Sequence, residues 1–395
     1  MRILMVDNSP QMGSSIRCAA SLLRDLAENG HEVGLSASRP DLWAPLLGDK
    51  VRVYPVAWIG FRNVFDAEHH LTGGGLPVVG QWLAVRRFSA RLLPEMRRIT
   101  RLFRPDVAAL NNMNLAQIPA LIAAQEAGAA VVAHGRAIRL FGKRELTPFA
   151  RRARRVICMS DAVRRCLAER LPSLNDKLVV VFDGLEDEMF RVAPDPGLRD
   201  ALGLPHDAPV ACLLGRLTAR KGQHVAIAAW PKVREMAPRA VLAIVGAGDA
   251  TYLEWCKHRA AELGVGDAVR FLGHRDDAPQ VLAACDLLLH ASCYADPHDG
   301  MVEAFGRVVI EAMAVRRPVV ATAAGGVPEL IENGVVGWLI RPNDPDDLAD
   351  KVGAALADPE LRRRAGEAGR ARAEALFTQR AATTRMMEEY QRAMK

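Results

Sequence analysis

The chain has no pair of cysteines in C-x-x-C spacing. Its seven cysteines are an odd number, and the nearest in sequence, Cys158/Cys166 and Cys285/Cys293, stand eight residues apart. That excludes a disulfide framework and a zinc ribbon and points to a reducing, cytoplasmic setting. No apolar run reaches the length of a membrane span. The opening Met1-Arg2-Ile3-Leu4-Met5-Val6-Asp7 lacks a long apolar region and a small-residue cleavage site, so it reads as a first strand and not as a signal peptide. G-x-G-x-x-G is missing, and with it the dinucleotide fingerprint. No nucleic-acid-binding motif accompanies the basic charge, so nucleic acid is not expected as a partner. The one short D-x-D, Asp344-Pro345-Asp346, sits before a helical run and reads as a turn and N-cap, so no metal ligand is expected. What remains is an ordinary globular composition, 50% hydrophobic and 25% charged, with a net charge of +6 that suits an anionic partner without choosing one.

Strand-like and helix-like segments alternate from end to end. Ile3–Val6, Val107–Leu110, Ala130–Ala133 and Arg155–Met159 are short apolar runs with helical patterns between them. The rhythm restarts after residue 200 with Val210–Leu214, Ala240–Val245, Val269–Leu272, Leu287–His290, Pro318–Ala321 and Trp338–Ile340. Apolar runs separated by helices predict parallel sheets covered on both faces. The restart predicts an α/β chain of two doubly wound, Rossmann-like domains facing across a cleft. An acid-, Pro- and Gly-rich stretch from Phe182 to Gly197 marks the boundary, placed at 1–190 and 191–377. The terminal amphipathic segment 378–395 is expected to pack back on the first domain.

In such sheets ligands lie beyond the C-terminal strand ends. Several segments there carry chemistry. The loop Asp7-Asn8-Ser9-Pro10-Gln11-Met12-Gly13 follows a strand and opens a helix, and Gly13 lets a ligand approach the backbone; the plain alternative is a strand–helix turn capped by Ser14. Gly215-Arg216-Leu217 leaves a strand, with Lys221 five residues beyond Arg216. Arg216 offers a planar fork to phosphate oxygens and Lys221 a point charge. Gly246-Ala247-Gly248 and Phe271-Leu272-Gly273 end strands at tight turns and fit a flat base pocket, or simple turn chemistry. Glu303 and Glu311 bracket a small-residue turn. If 306–314 is helical, they stand about 12 Å apart at helical rise, with helix N-terminal N–H groups between them that attract an anion.

Taken in order, Gly215-Arg216…Lys221-Gly222, Val245-Gly246-Ala247-Gly248, Phe271-Leu272-Gly273, Glu303-x7-Glu311-Ala-Met-Ala, Pro318-Val-Val-Ala-Thr322 and Gly325-Gly-Val-Pro-Glu-Leu330 resemble the nucleotide-sugar half of the retaining glycosyltransferases of family 4, which have the GT-B fold. The resemblance is clear over about 200–345 and fainter before. It implies a nucleotide-diphosphate sugar as donor substrate, no cofactor, and transfer of a hexosyl group with retention to a small-molecule, glycan or lipid-linked hydroxyl acceptor, in the setting of cell-surface polysaccharide or glycolipid synthesis. It implies that Arg216 and Lys221 bind the donor diphosphate, that Glu311 holds the ribose and that Glu303 lies beside the sugar. Phe305, Gly306 and Arg307 become the backbone near sugar and phosphate, and His134, at the end of Val131–Ala133, faces the sugar. Two positions depart from the pattern: Ala304 stands where the family has Gly, and Asp183-Gly184 where it has Asn-Gly.

Two basic stretches remain. Residues 86–104 hold seven Arg and one acid, with Val85, Phe88, Leu92, Met96, Ile99 and Phe103 in a helical stripe, and 136–155 hold eight Lys/Arg and one acid. With Trp58, Phe61, Phe65 and the Gly-rich 71–76 loop nearby, they fit peripheral contact with an anionic membrane on its inner face, or a core helix with a solvated basic face. Two other functions share the architecture: a non-hydrolysing nucleotide-sugar epimerase and a catalytically silent nucleotide-sugar-binding protein.

Overall fold

The computed structural model describes residues 1–56, 78–138, 142–292 and 302–395. The aromatic and Gly-rich segment 58–76, the side chains of 85–88 and Arg139 lie outside the described residues. The chain divides into two compact units, one of Met1–Arg136, Phe141–Gly184 and Gln379–Lys395, the other of Ala137–Leu140 and Leu185–Thr378.

The first unit holds seven strands: β1 (Arg2–Asp7), β2 (Glu32–Ala37), β3 (Val51–Pro55), β4 (Val107–Leu110), β5 (Ala130–Gly135), β6 (Arg155–Cys158) and β7 (Leu178–Val180). They lie in the order β3-β2-β1-β4-β5-β6-β7, every pairing parallel. The second unit holds β8 (Val210–Leu214), β9 (Val241–Val245), β10 (Val269–Gly273), β11 (Leu287–His290), β12 (Val319–Thr322) and β13 (Gly337–Ile340), in the order β10-β9-β8-β11-β12-β13, again parallel. Both orders reverse once, between β1 and β4 and between β8 and β11, and such reversals open a crevice at the C-terminal strand ends. The central strands are buried apolar runs, as β4 and β9 show at every residue. Two edge strands escaped the sequence reading: β3 buries only Val51 among exposed and half-buried residues, and β7 is three half-buried residues.

Each sheet has its own core. Trp230, Ile244, Leu289 and Val352 are buried in the second unit. In the first, Trp43, Leu23 and Leu35 are joined by Met386, Tyr390 and Ala393 from the helix Gln379–Met394. Tyr390 is fully buried, worth roughly 1.5–3 kcal/mol of hydrophobic stabilisation for a side chain of its size. In the helix Val78–Phe103, Leu92, Met96, Ile99 and Phe103 form the buried stripe, while Arg97 pairs with Glu126 at 2.7 Å and Arg98 with Glu95 at 2.7 Å. Arg136 does not belong to a basic surface: its side chain is 6% exposed and salt-bridged to Asp183 at 3.1 Å.

Candidate active site

The segments at the β8/β11 reversal of the second unit come together through backbone approaches that only glycine permits. A Cβ on Gly222 would lie 1.8 Å from the Ala291 carbonyl oxygen, and one on Gly325 would lie 1.9 Å from the Glu303 carbonyl oxygen. Gly326 N donates to that same Glu303 oxygen at 3.0 Å. The loop after β8 is pinned by Gln223, fully buried, whose Nε2 donates to the Arg216 carbonyl at 2.9 Å. Lys221, ending the short turn Ala219–Lys221, then reaches Glu303 Oε2 at 2.6 Å.

Two residues the sequence reading passed over complete this cluster. His290, the last residue of β11 and 4% exposed, places Nε2 3.6 Å from Glu303 Oε2. Ser292 Oγ lies 3.5 Å from the same oxygen and 3.2 Å from His290 Nε2. Burial pushes the Glu303 carboxyl up, but His290 and Lys221 beside it win and hold it well below the usual carboxylate range. The signal for His290 was available: a polar residue closing the apolar run Leu287-Leu288-Leu289 at a C-terminal strand end.

Beyond Glu303 the chain turns at Gly306, in the left-handed region at φ 94°, and the helix begins at Arg307 and runs to Ala314. The reach of about 12 Å does not hold as argued, because Glu303 lies before the helix. Helical rise applies only from Arg307 to Glu311, about 6 Å. Val309, Ile310 and Met313 bury the inner face of this helix. On the outer face Arg307 Nε meets Glu311 Oε1 at 2.8 Å, and its Nη2 meets Glu186 Oε2 at 2.9 Å. Glu186 is a further residue that sequence spacing did not reveal.

The remaining expected residues are placed as follows. Arg216 is exposed, and no hydrogen bond or ion pair engages its guanidinium among the described residues. The strand ends carrying Gly215, Gly246 and Gly273 are tied together: Gly215 N donates to Val245 O at 2.9 Å and Gly246 N to Gly273 O at 2.7 Å. Gly246 packs its backbone on the Gly215 carbonyl, so the fold itself requires glycine there. Phe271 is half-buried against the core, and Phe305 is 2% exposed and set edge-to-face on Phe377. Asp344 caps the helix Pro345–Ala357, accepting from Asp347 N at 2.9 Å, as a turn and N-cap should.

In the first unit, Gly13 caps the helix Ser14–Glu28 and Ser14 is already helical, so a serine cap is not used. His134 is 1% exposed, and its Nε2 lies 3.2 Å from the Tyr390 hydroxyl. Burial first, and then the charge of Arg136, hold its imidazole well below the ordinary histidine value. Next to it Arg136 Nε donates to Asn111 at 2.7 Å, and Asn111 in turn donates to the buried Asp7 at 2.7 Å.

Residues 195–372 match the model of the glycosyl transferases group 1, and residues 17–188 match that of glycosyltransferase family 4. The chain belongs to the family 4 glycosyltransferases. Over 186 residues it is 38% identical to a GDP-mannose-dependent alpha-(1-6)-phosphatidylinositol monomannoside mannosyltransferase of Mycolicibacterium smegmatis, covering 46% of this chain and 48% of that protein. Over 269 residues it is 32% identical to a D-inositol 3-phosphate glycosyltransferase of Thermobispora bispora, covering 66% of this chain and 60% of that one. The matches thus span about half the length of the first of these curated relatives. A glycosyltransferase of Rickettsia africae superposes with a TM-score of 0.81 at 19% identity, covering 100% of this chain and 98% of that one. Anabaena HepE in complex with UDP-glucose gives 0.75 at 24%, covering 98% of each. At these identities the structures speak for the fold, two parallel-sheet α/β units of the GT-B type.

Proposed function

We propose that this family member is a retaining glycosyltransferase that moves a hexosyl group from a nucleotide-diphosphate sugar to a hydroxyl acceptor. A C-terminal domain, 191–377, takes the donor; an N-terminal domain, 1–190 with the helix 378–395, takes the acceptor. The observation that carries this reading is the β8/β11 cluster: Lys221 paired with Glu303 at 2.6 Å, Arg216 exposed beside it on the same loop, and Glu311 on the helix that follows. Two cations near a helix N-terminus suit a diphosphate, and two acids suit sugar and ribose hydroxyls. The donor class agrees with the GDP-mannose in one relative's name and the UDP-glucose held by Anabaena HepE.

In the transfer, the acceptor oxygen bonds to the anomeric carbon as the bond from that carbon to the diphosphate breaks, and the acceptor proton passes to the departing diphosphate. Arg216, Lys221 and the first N–H groups of Arg307–Ala314 stabilise the charge that develops there. Glu311 holds the ribose, Glu303 the sugar, the backbone of Phe305 to Arg307 the space between, and the strand ends at Gly215, Gly246 and Phe271 the base. Gly13 is where the ligand approaches the backbone, and His134 is the residue that faces the sugar. The acceptor is a glycan or lipid-linked hydroxyl compound of the kind used in cell-surface polysaccharide or glycolipid synthesis.

Peripheral membrane contact, on a cytoplasmic face, is supported by the exposed Arg91, Arg98 and Arg101 of Val78–Phe103 and Arg104 just beyond it, with Leu102, 61% exposed, among them. No described helix is long and apolar enough to cross a membrane. Sedimentation with anionic vesicles should fall as salt rises; no sedimentation at low salt refutes the contact.

A panel of nucleotide sugars tests the main reading. Release of nucleoside diphosphate is expected from at least one. Conversion of the donor to its epimer would instead make the protein an epimerase, and binding without turnover would make it a silent sensor.

A further inference from the structure

The carboxylate of Glu303 is held from one side. Lys221 Nζ at 2.6 Å, Ser292 Oγ at 3.5 Å and His290 Nε2 at 3.6 Å all approach Oε2, and Oε1 has no partner among the described residues. Only the lysine contact is short. A lysine on a flexible stem is a point charge and sets no plane for a carboxylate. His290 is different in kind. It closes β11, is paired in register with Ala321 of β12, and its carbonyl accepts from Thr322 Oγ1 at 3.4 Å. Its Nδ1 is buried with no hydrogen-bond partner. A proton on that nitrogen would be a wasted buried donor and would turn the Nε2 lone pair toward the carboxylate. A proton on Nε2 instead donates to Ser292 Oγ at 3.2 Å, leaving the serine hydroxyl to donate to Oε2.

We propose that His290 and Ser292 act as a positioning pair that fixes the plane of Glu303, so that Oε1 is the oxygen presented to a hydroxyl of the donor sugar. Neither residue touches substrate in this role; both act through Glu303. The inference rests on the transferase reading, and it adds to that reading the means by which one strand end orients the sugar-side acid.

The test is steady-state kinetics of the full chain with its preferred donor, for His290→Phe, His290→Gln and Ser292→Ala, each checked by melting temperature. A misdirected carboxylate misplaces the sugar, so His290→Phe should lower kcat about ten- to a hundredfold while the affinity for the nucleoside diphosphate stays unchanged. The amide N–H of His290→Gln should bring kcat most of the way back. Ser292→Ala should cost about threefold, the worth of a modest hydrogen bond, and adding it to His290→Phe should cost nothing more, because both act along one relay. Unchanged kcat in both His290→Phe and Ser292→Ala overturns the proposal, and so does equal loss in the Phe and Gln variants that tracks a fall in melting temperature. A wild-type protein that turns over no donor overturns the transferase reading and this inference with it; an active wild type with indifferent variants overturns the inference alone.

Discussion

At the C-terminal strand ends of the first unit Arg136 is buried, its guanidinium spent on Asn111 and Asp183, while at the corresponding ends of the second unit Arg216 is exposed and unengaged among the described residues. The acids differ in the same way. Asp7 is fully buried and accepts from Asn111, Asn112 and Ser9; Glu303 is part-exposed, with both Lys221 and His290 crowded on one oxygen. Even the two strand-end histidines diverge: the Nε2 of His134 faces Tyr390 of the terminal helix, that of His290 faces Glu303. A polar cluster whose valences are filled from within holds a fold. One that leaves a cation and a carboxylate oxygen open among the described residues has groups to offer a ligand, as the proposed transferase requires.

The contrast breaks most visibly in stability. Removing one partner of a buried ion pair strands the other, so Asp183→Ala should cost about 3–5 kcal/mol in urea unfolding. Lys221→Ala, whose pair is part-exposed, should cost under about 1 kcal/mol. Comparable losses in the two variants would erase the distinction. Next in size is turnover. If Lys221 stabilises the leaving diphosphate as an oxyanion donor does, its alanine variant should lose about a hundredfold or more in kcat while remaining folded, and near-normal turnover would remove it from the chemistry.

Smaller effects sharpen the picture around His134. Its folded value is depressed, so below about pH 6.5 the unfolded chain binds a proton that the folded protein refuses, and stability falls as the pH falls. Melting temperatures between pH 7 and 5 should therefore drop more steeply for the wild type than for His134→Gln; parallel profiles would contradict the buried neutral ring. Tyr390→Phe should cost only about 1 kcal/mol, the hydrogen bond to that ring.

How much of this was written in the sequence differs between the sheets and the site. Central strands such as β4 and β9 are buried on both faces, so their apolar runs declare them. The edge strands β3 and β7 are half-covered and do not. Arg216, Lys221, Glu303 and Glu311 were singled out through the order of glycine turns and acids that carries the family resemblance, an order that backbone approaches such as Gly222 on Ala291 impose locally. What stayed hidden depends on contacts far apart in the chain: Arg136 with Asp183 and Arg307 with Glu186. Arg136 looked like one of eight basic residues on a surface, and only tertiary pairing puts it inside. The helical reach between Glu303 and Glu311 failed for a local reason, since Gly306 turns the chain left-handed before the helix starts.

Nucleoside diphosphate binding, measured by titration calorimetry on the wild type and on Arg216→Ala, is the most direct test of the open cluster. The account predicts that UDP or GDP binds the wild type and that Kd rises at least about tenfold in the variant, the loss of a charge-assisted hydrogen bond. Equal affinity in the two proteins, or no binding of either nucleotide to the wild type, would contradict it.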